Sequence, residues 1–260
     1  MPTNIPSWLR LARSYARATN PITFIARRSI KKLADTVNLQ SPPGGLCIDV
    51  GAGTAPYGRD AEKHLHVRSY VALDIVASES TSVIGNAMEM PFRSGCAQFI
   101  VCFDVIQHVP ESKALLAEVT RVLAPGGILL VTFPFNYCEC DVQDFRRWTL
   151  AGMEREITDQ GLEVIRMEQR GGRFFAFACG LNWIAQHMVP GQRESWRARR
   201  STLGILRVAL VHLLTMPTTA LQWAMLGIDR LLPNKGCYMG GIAMAARPAS
   251  NSAHARSQSD

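Results

Sequence analysis

The stretch LCIDVGAGT, residues 46–54, decides how the rest of this sequence is interpreted. Its first five residues have the pattern of a short buried strand, and Gly51 and Gly53 follow at once. A glycine turn after a buried strand lets the backbone approach a ligand closely, and the next helix offers free N–H groups there. We therefore predict a ligand-binding βα turn, with a tight turn that binds nothing as the alternative.

Two details indicate which ligand the turn accepts. A turn that binds NAD has a third glycine three positions after the second one, whereas this chain has Pro56 there and its next glycine is Gly58. In addition, Asp49 lies two residues before Gly51, where a carboxylate would repel a pyrophosphate but attract an amino group or a sulfonium. The pattern favours a cationic ligand, and a nicotinamide-dependent reductase is the less favoured alternative.

Beyond this turn, short apolar runs alternate with helical segments. We predict strands at 46–50, 69–75, 82–85, 98–103, 127–133, 162–168 and 237–246, and helices at 56–65, 111–123 and 149–160. This alternation is typical of βαβ units that form a parallel sheet with right-handed crossovers.

Asp74 ends the second predicted strand, 25 residues after Asp49. An acid at the carboxyl end of the neighbouring strand can accept hydrogen bonds from the two hydroxyls of a ribose. By itself Asp74 could equally be a solvated residue at a strand end. Together with the glycine turn it favours a ribose site, because ligands bind at this edge of open α/β sheets.

Five segments occur in the order and at the spacing of a known family: residues 47–58, Asp74, GNAMEMPF (85–92), FIVCFDVIQHV (99–109) and LAPGG (123–127). Together they resemble the class I S-adenosylmethionine-dependent methyltransferases, particularly their small-molecule, methyltransferase type 11-like branch. The resemblance covers about residues 44–170. It implies a Rossmann-like, doubly wound α/β sheet that is mostly parallel with an antiparallel last strand, and S-adenosylmethionine as the cofactor.

The resemblance also implies the cofactor-binding residues: Asp49, Gly51, Ala52, Gly53, Asp74, Ile75, Asn86, Ala87, Phe103 and Asp104. Asp49 and the two glycines would hold the methionine end, Asp74 the ribose, and Asn86 with Ala87 the adenine. The family usually has Asp at the position of Asn86, but an amide can also hydrogen-bond adenine because it both donates and accepts. Gln98 is a second departure, since many members begin the fourth strand with Asp.

The acceptor side of the site is less clearly defined. His108 is the candidate catalytic residue, because a histidine has a suitable pKa for a general base toward an acceptor hydroxyl. We favour the alternative that it hydrogen-bonds the backbone and orders its loop, since this histidine occurs in the branch whatever the acceptor. Asp144, Arg146 and Trp148 could orient an acceptor, although loop-ordering ion pairs explain the charged residues equally well.

The net charge of +7 is concentrated in one segment. Residues 1–34 contain no acid and seven basic residues, which are Arg10, Arg13, Arg17, Arg27, Arg28, Lys31 and Lys32. The rest of the chain has 21 basic and 21 acidic residues, so no basic surface spreads over the fold and no nucleic-acid partner is expected. Seven cysteines without a CxxC pair and the lack of a signal-peptide pattern predict a reducing cytoplasm and no metal site.

We expect three parts in the chain: a basic amphipathic helical arm (1–43), a methyltransferase domain (44–247) with a helical, apolar insertion at about 174–232, and a disordered tail (248–260). Asn20 and Pro21 should begin a helix, and Thr149 should cap another. The uncharged segment 208–228 is long enough to span a bilayer, but Pro217 and its polar residues predict two short helices instead. These helices would pack on the domain or, with the arm, contact an anionic membrane peripherally.

The predicted function is methyl transfer from S-adenosylmethionine to a small-molecule or a lipid- or glycan-linked acceptor, preferably at oxygen. An S-adenosylmethionine-binding protein without catalysis is one alternative, because a fold does not determine a function. A nucleic-acid methyltransferase is another, although no NPPY or DPPY motif is present.

Overall fold

The computed structural model describes residues 20–38, 44–53, 58–139, 142–188, 202–232 and 236–249. The predicted arm before residue 20 and the tail from residue 250 lie outside these residues. The strands are β1 (Leu46–Val50), β2 (Ser69–Asp74), β3 (Val83–Ile84), β4 (Ala97–Cys102), β5 (Leu123–Pro134), β6 (Glu163–Arg170) and β7 (Gly240–Ala246). The helices are α1 (Pro21–Asn38), α2 (Gly58–Leu65), α3 (Ser112–Val122), α4 (Leu150–Asp159), α5 (Arg173–His187) and α6 (Thr202–Leu231), with a 3-10 helix at Ile106–His108.

The strands form one sheet in the order β3-β2-β1-β4-β5-β7-β6. Strands β3 to β5 in this order are parallel, whereas β7 runs antiparallel to both β5 and β6. This confirms the predicted mostly parallel α/β sheet with an antiparallel last strand. Val50 pairs with Leu73, and Asp49 with Val101, so the carboxyl ends of β1, β2 and β4 meet at one edge.

Both faces of the sheet are covered, which explains why its strands appear in the sequence as continuous apolar runs. Successive strand residues point to opposite faces. Ile48 and Ile100 belong to the core cluster that contains Leu115 of α3, while Cys47 and Phe99 belong to the cluster that contains Leu33 of α1. Burying a large apolar side chain contributes about 1.5–3 kcal/mol, so the two clusters stabilise the sheet from both faces.

Two predicted helix starts are confirmed. Asn20 Oδ1 accepts a hydrogen bond from Ile22 N at 2.8 Å, one residue after α1 begins with its proline. Thr149 Oγ1 accepts one from Gly152 N at 3.0 Å at the start of α4. Both side chains satisfy N–H groups that the first turn of a helix leaves without an intrahelical partner.

The prediction that Pro217 divides the apolar segment into two short helices is wrong, because α6 continues through this residue. A proline inside a helix costs about 3 kcal/mol, mainly through one lost hydrogen bond and crowding of the preceding turn. Packing against α5 compensates: Thr218 Oγ1 lies 3.1 Å from Asn182 Oδ1, and Asn182 Nδ2 lies 3.2 Å from Gln222 Oε1. Among the described residues, no helix has both the length and the apolarity needed to cross a bilayer.

The chain divides into two compact units. The larger contains the described residues of Ala26–Phe135, Glu139–Arg170 and Gly240–Asp260, and therefore the whole sheet. The smaller contains those of Met1–Ile25, Asn136–Cys138 and Gly171–Met239, and its core includes Phe175, Cys179 and Leu226.

Candidate active site

The turn after β1 is held in a conformation that suits glycine. Gly51 and Gly53 have φ angles of +69° and +54°. The N–H groups of Gly51 and Ala52 both donate to the carbonyl of Leu73, at 2.8 and 3.0 Å, which fastens the turn to the end of β2. A Cβ on Gly51 would lie 2.4 Å from Val105, whereas a Cβ on Gly53 would meet no atom of the described residues within 4 Å. Among the described residues, none occupies the space beside Gly53.

Asp74 lies directly beside the second glycine. Its Oδ2 accepts a hydrogen bond from Gly53 N at 2.7 Å, and its Oδ1 accepts one from Val76 N at 2.8 Å. Ser78 Oγ donates to the Gly53 carbonyl at 2.6 Å, which fixes the glycine from a second direction. The structure thus brings Asp74 and the glycine turn together, and Ile75 follows with an exposed side chain.

Asp49 is buried at the end of β1 and accepts a hydrogen bond from the hydroxyl of Tyr70. Burial raises the pKa of Asp49 to about 7; the hydrogen bond from Tyr70 opposes this rise, and the negative charge of Asp74 adds to it. Sequence reasoning missed Tyr70. The only signal for it is the register of the sheet, in which Tyr70 pairs with Cys47, and the sequence alone does not reveal a register.

The segment that carries Asn86 and Ala87 is fixed by α3. Glu118 Oε2 accepts a hydrogen bond from Met90 N at 2.7 Å, and Arg121 Nη2 donates to the Met90 carbonyl at 3.0 Å. Asn86 itself is exposed, and its Oδ1 accepts from Met88 N at 2.9 Å. These contacts hold the predicted adenine-binding residues next to the end of β3.

Asp104 follows β4 in a left-handed conformation, with a φ of +56° that is uncommon for a residue other than glycine. Its carboxylate accepts hydrogen bonds from Thr132 Oγ1 at 2.9 Å and from Arg170 Nη1 at 2.8 Å. Burial by itself would raise the pKa of Asp104, but the charge and hydrogen bond of Arg170, with smaller contributions from Thr132 and His108, hold it below its ordinary value. Asp104 is therefore ionised at neutral pH. Arg170, at the end of β6, is a second residue that the sequence did not indicate.

His108 ends the 3-10 helix, and its Nδ1 lies 2.8 Å from the carbonyl oxygen of Gln143. Because a carbonyl only accepts, Nδ1 carries the hydrogen in this contact and Nε2 of a neutral ring is left as the acceptor. The contact ties the segment after β5 to the end of β4. It supports the loop-ordering role that we favour for this residue.

Asp144, Arg146 and Trp148 make the contacts that order this segment. Asp144 forms an ion pair with Arg147, and Arg146 Nη1 donates to the carbonyl oxygens of Val109, at 3.3 Å, and of Pro110. Trp148 is buried in the main core, and its indole N–H donates to Glu156 at 3.0 Å. These contacts favour the loop-ordering alternative over a direct role toward the acceptor, most clearly for the buried Trp148.

Comparisons with known proteins agree with this geometry. Residues 48–131 match the family model described as "Methyltransferase domain". The chain is 27% identical over 135 residues to demethylmenaquinone methyltransferase of Staphylococcus saprophyticus, which covers 46% of this chain and 57% of that protein. It is also 27% identical over 135 residues to dimethylglycine N-methyltransferase of Parasynechococcus marenigrum, which covers 46% and 48% of the two chains.

Residues 48–131 of this chain are therefore similar to a methyltransferase domain. The chain spans about half the length of the two curated relatives named above. The fold of this chain is similar to the crystal structure of the [4+2]-cyclase SpnF, with a TM-score of 0.53, 18% identity and coverage of 85% and 81% of the two chains. At that identity the likeness concerns the fold alone.

The cofactor that the resemblance implies is S-adenosylmethionine, and the residues at the carboxyl edge fit it. Asp49 provides a buried carboxylate for a cationic group, and no described residue blocks the approach of a ligand to the backbone at Gly53. Asp74 provides a carboxylate at the end of the neighbouring strand. The donor set thus matches a ligand that combines a positive charge with a ribose.

Replacing Asp74 with Ala should weaken S-adenosylmethionine binding by about 1.5–3 kcal/mol, the contribution of a charge-assisted hydrogen bond. Calorimetry measures the effect directly. Ser78→Ala is the matched control, because it removes the other side-chain contact to Gly53 and leaves the carboxylate in place. If Asp74→Ala binds as tightly as the wild type, or no more weakly than Ser78→Ala, the ribose assignment is wrong.

Proposed function

We propose that this protein transfers a methyl group from S-adenosylmethionine to a small-molecule or a lipid- or glycan-linked acceptor. The observation that carries the proposal is the pairing of Gly53 with Asp74 beside the buried Asp49. Each residue comes from the carboxyl end of a parallel strand or the turn that follows it, which is where ligands bind in open α/β sheets.

S-adenosylmethionine supplies an activated methyl carbon on a sulfonium. The protein chiefly has to align the reactants and exclude water, and alignment alone can lower a barrier by several kcal/mol. In this chain Asp49 and Asp74 would bind and orient the cofactor. Asp104, held by Thr132 and Arg170, fixes the backbone at the end of β4, where the acceptor would approach.

The names of the relatives support a small acceptor, since one concerns demethylmenaquinone and the other dimethylglycine. We propose oxygen as the acceptor atom, in which case the acceptor hydroxyl has to lose its proton to a general base. For a lipid-linked acceptor, peripheral contact with the membrane surface is part of the proposal.

His108→Ala should lower the melting temperature and leave the pH profile of turnover unshifted, because the contact with Gln143 orders the loop. Thermal unfolding and methyl-transfer rates across the pH range measure the two effects. A loss of turnover of about a hundredfold, with cofactor affinity and melting temperature unchanged, would instead make His108 the general base.

The proposed function is tested by incubating the protein with methyl-labelled S-adenosylmethionine and fractionated cell lysate. Label should appear in a small-molecule or lipid fraction and be absent with the Asp49→Asn variant. Label in a nuclease-sensitive fraction would contradict the acceptor class. Tight cofactor binding without label in any fraction would support the alternative of a binding protein without catalysis.

A further inference from the structure

The two long helices of the smaller unit expose large apolar side chains at helical spacing. These are Phe177, Ile184 and Met188 of α5, exposed by 65%, 54% and 71%, and Met216, Trp223 and Leu231 of α6, exposed by 67%, 36% and 80%. In each helix the first and second residues are seven positions apart, which places them on one face. Each helix therefore carries an outer apolar face, and we call these six residues the outer stripes.

The outer stripes are separate from the faces that form the core of this unit. Phe175 and Cys179 of α5 and Leu226 of α6 are buried in that core, and Gln222 is buried beside Cys179. Soluble proteins rarely expose contiguous apolar patches beyond a few hundred Å², and larger ones mark interaction sites. When a helix is apolar on both faces and only one face is buried, the outer face is expected to contact an apolar partner.

Basic and acidic residues are distributed unequally along the sequence. Residues 171–239 contain eight basic and two acidic residues, and residues 1–34 contain seven basic and none acidic. The remaining residues contain 13 basic and 19 acidic residues. The sequence of the smaller unit thus contains 11 basic and two acidic residues and is strongly cationic, whereas that of the larger unit contains 17 basic and 19 acidic residues and is nearly neutral.

Positive side chains are placed beside the stripes within the described residues. Arg173 and Arg230 are both exposed. They lie at the same end of the helix pair, because Asp229 accepts hydrogen bonds from Gly172 N at 3.1 Å and Phe175 N at 2.9 Å. This capping role engages the carboxylate of Asp229, which directly precedes Arg230 in the sequence.

We propose that the outer stripes bind the surface of an anionic membrane without crossing it. Apolar side chains on one helix face, flanked by arginines, have the composition of a helix that lies in the interfacial region. The cationic charge of residues 171–239 complements an anionic leaflet. A second copy of this chain is disfavoured, because two surfaces of the same positive charge would face each other. The inference rests on the proposed function for its purpose, since it would bring the protein to a lipid-linked acceptor.

Vesicle flotation of the full chain tests this inference. The protein should float with vesicles of equal parts phosphatidylcholine and phosphatidylglycerol, should not float with phosphatidylcholine alone, and should be released by high salt. The triple variant Phe177→Gln, Ile184→Gln and Met216→Gln should bind the anionic vesicles at least about tenfold more weakly. Glutamine keeps helix propensity high, and circular dichroism checks that the helices persist. The matched control is Ile84→Gln with Ile165→Gln, which changes exposed apolar residues of the larger unit and should float like the wild type.

Unchanged flotation of a folded triple variant would overturn the proposal, as would equal binding to neutral vesicles. A dimer that the triple variant dissociates, without any vesicle binding, would identify a second copy as the partner and overturn it too. S-adenosylmethionine binding is measured on the same samples. Wild-type protein that binds the cofactor but no vesicle contradicts the membrane contact and leaves methyl transfer to a small-molecule acceptor standing, whereas wild-type protein that binds no cofactor contradicts the proposed methyl transfer.

Discussion

Replacing Gly53 with Val should reduce S-adenosylmethionine affinity by at least about 100-fold, which corresponds to roughly 2.7 kcal/mol. Gly53 has a φ of +54°, and the position of its missing Cβ faces space that no described residue occupies within 4 Å. A branched side chain would fill this space where we expect the cofactor to approach the backbone. Calorimetry or equilibrium dialysis with labelled cofactor measures the loss.

The matched control separates lost binding from backbone strain, because a β-branched residue with positive φ is strained anywhere. Gly161 has a φ of +79°, and a Cβ at this position would also meet no described atom within 4 Å, but Gly161 lies in the turn after α4. Gly161→Val should lower the melting temperature by a similar amount and leave cofactor affinity near the wild-type value. If both variants lose affinity equally, the glycine turn is not the cofactor site.

Cofactor binding should also weaken about tenfold for each pH unit below pH 7, because Asp49 must be ionised to attract a cation. The pKa of Asp49 is raised to about 7 in the free protein, so the carboxyl is protonated below that pH. A bound cation lowers this pKa again, and binding therefore releases a proton in this range. An α-amino group loses its charge above about pH 7.7, so the measurement belongs between about pH 5.5 and 7.5.

Three variants test whether Asp49 causes this pH dependence. Asp49→Asn should bind weakly at every pH in the range, since it has no proton to release. Tyr70→Phe should shift the midpoint to higher pH, because it removes the hydrogen bond that lowers the pKa of Asp49. His108→Gln should leave the profile unchanged, and a profile that flattens in this variant instead would assign the titration to the histidine.

The raised pKa of Asp49 also affects the stability of the free protein. The folded pKa of Asp49 lies above its ordinary value of 3.8, so the folded state retains a proton that the unfolded chain has already released. The contribution of this group to the free energy of unfolding is therefore present at low pH and is lost as pH rises through about 7.

Local patterns were sufficient for the elements and for the glycine turn. The apolar runs predicted the seven strands, and Asn20 and Thr149 predicted two helix starts, because a cap acts on N–H groups within three residues of itself. The position of Asp74 beside Gly53 also follows from the sequence, since parallel strands bring their carboxyl ends to one edge.

The contacts that set the pKa values of Asp49 and Asp104 could be identified only from the tertiary structure. Tyr70 reaches Asp49, and Arg170 reaches Asp104 over 66 residues, and both contacts depend on a strand register and order that a sequence pattern does not specify. The raised pKa of Asp49 likewise depends on burial by residues distant in the chain.

For the segment 208–228, too, the sequence predicted one feature correctly and the tertiary structure decided another. Its composition predicted apolar helices, but local propensity also predicted a break at Pro217 that packing against α5 overrides. The charges of residues 171–239 are visible in the sequence, where they cancel against the acids of the remaining chain. Only the division of the structure into two units shows that these basic residues and most of the acids belong to different units. A local pattern records which side chains are present, whereas the fold decides which of them share a surface.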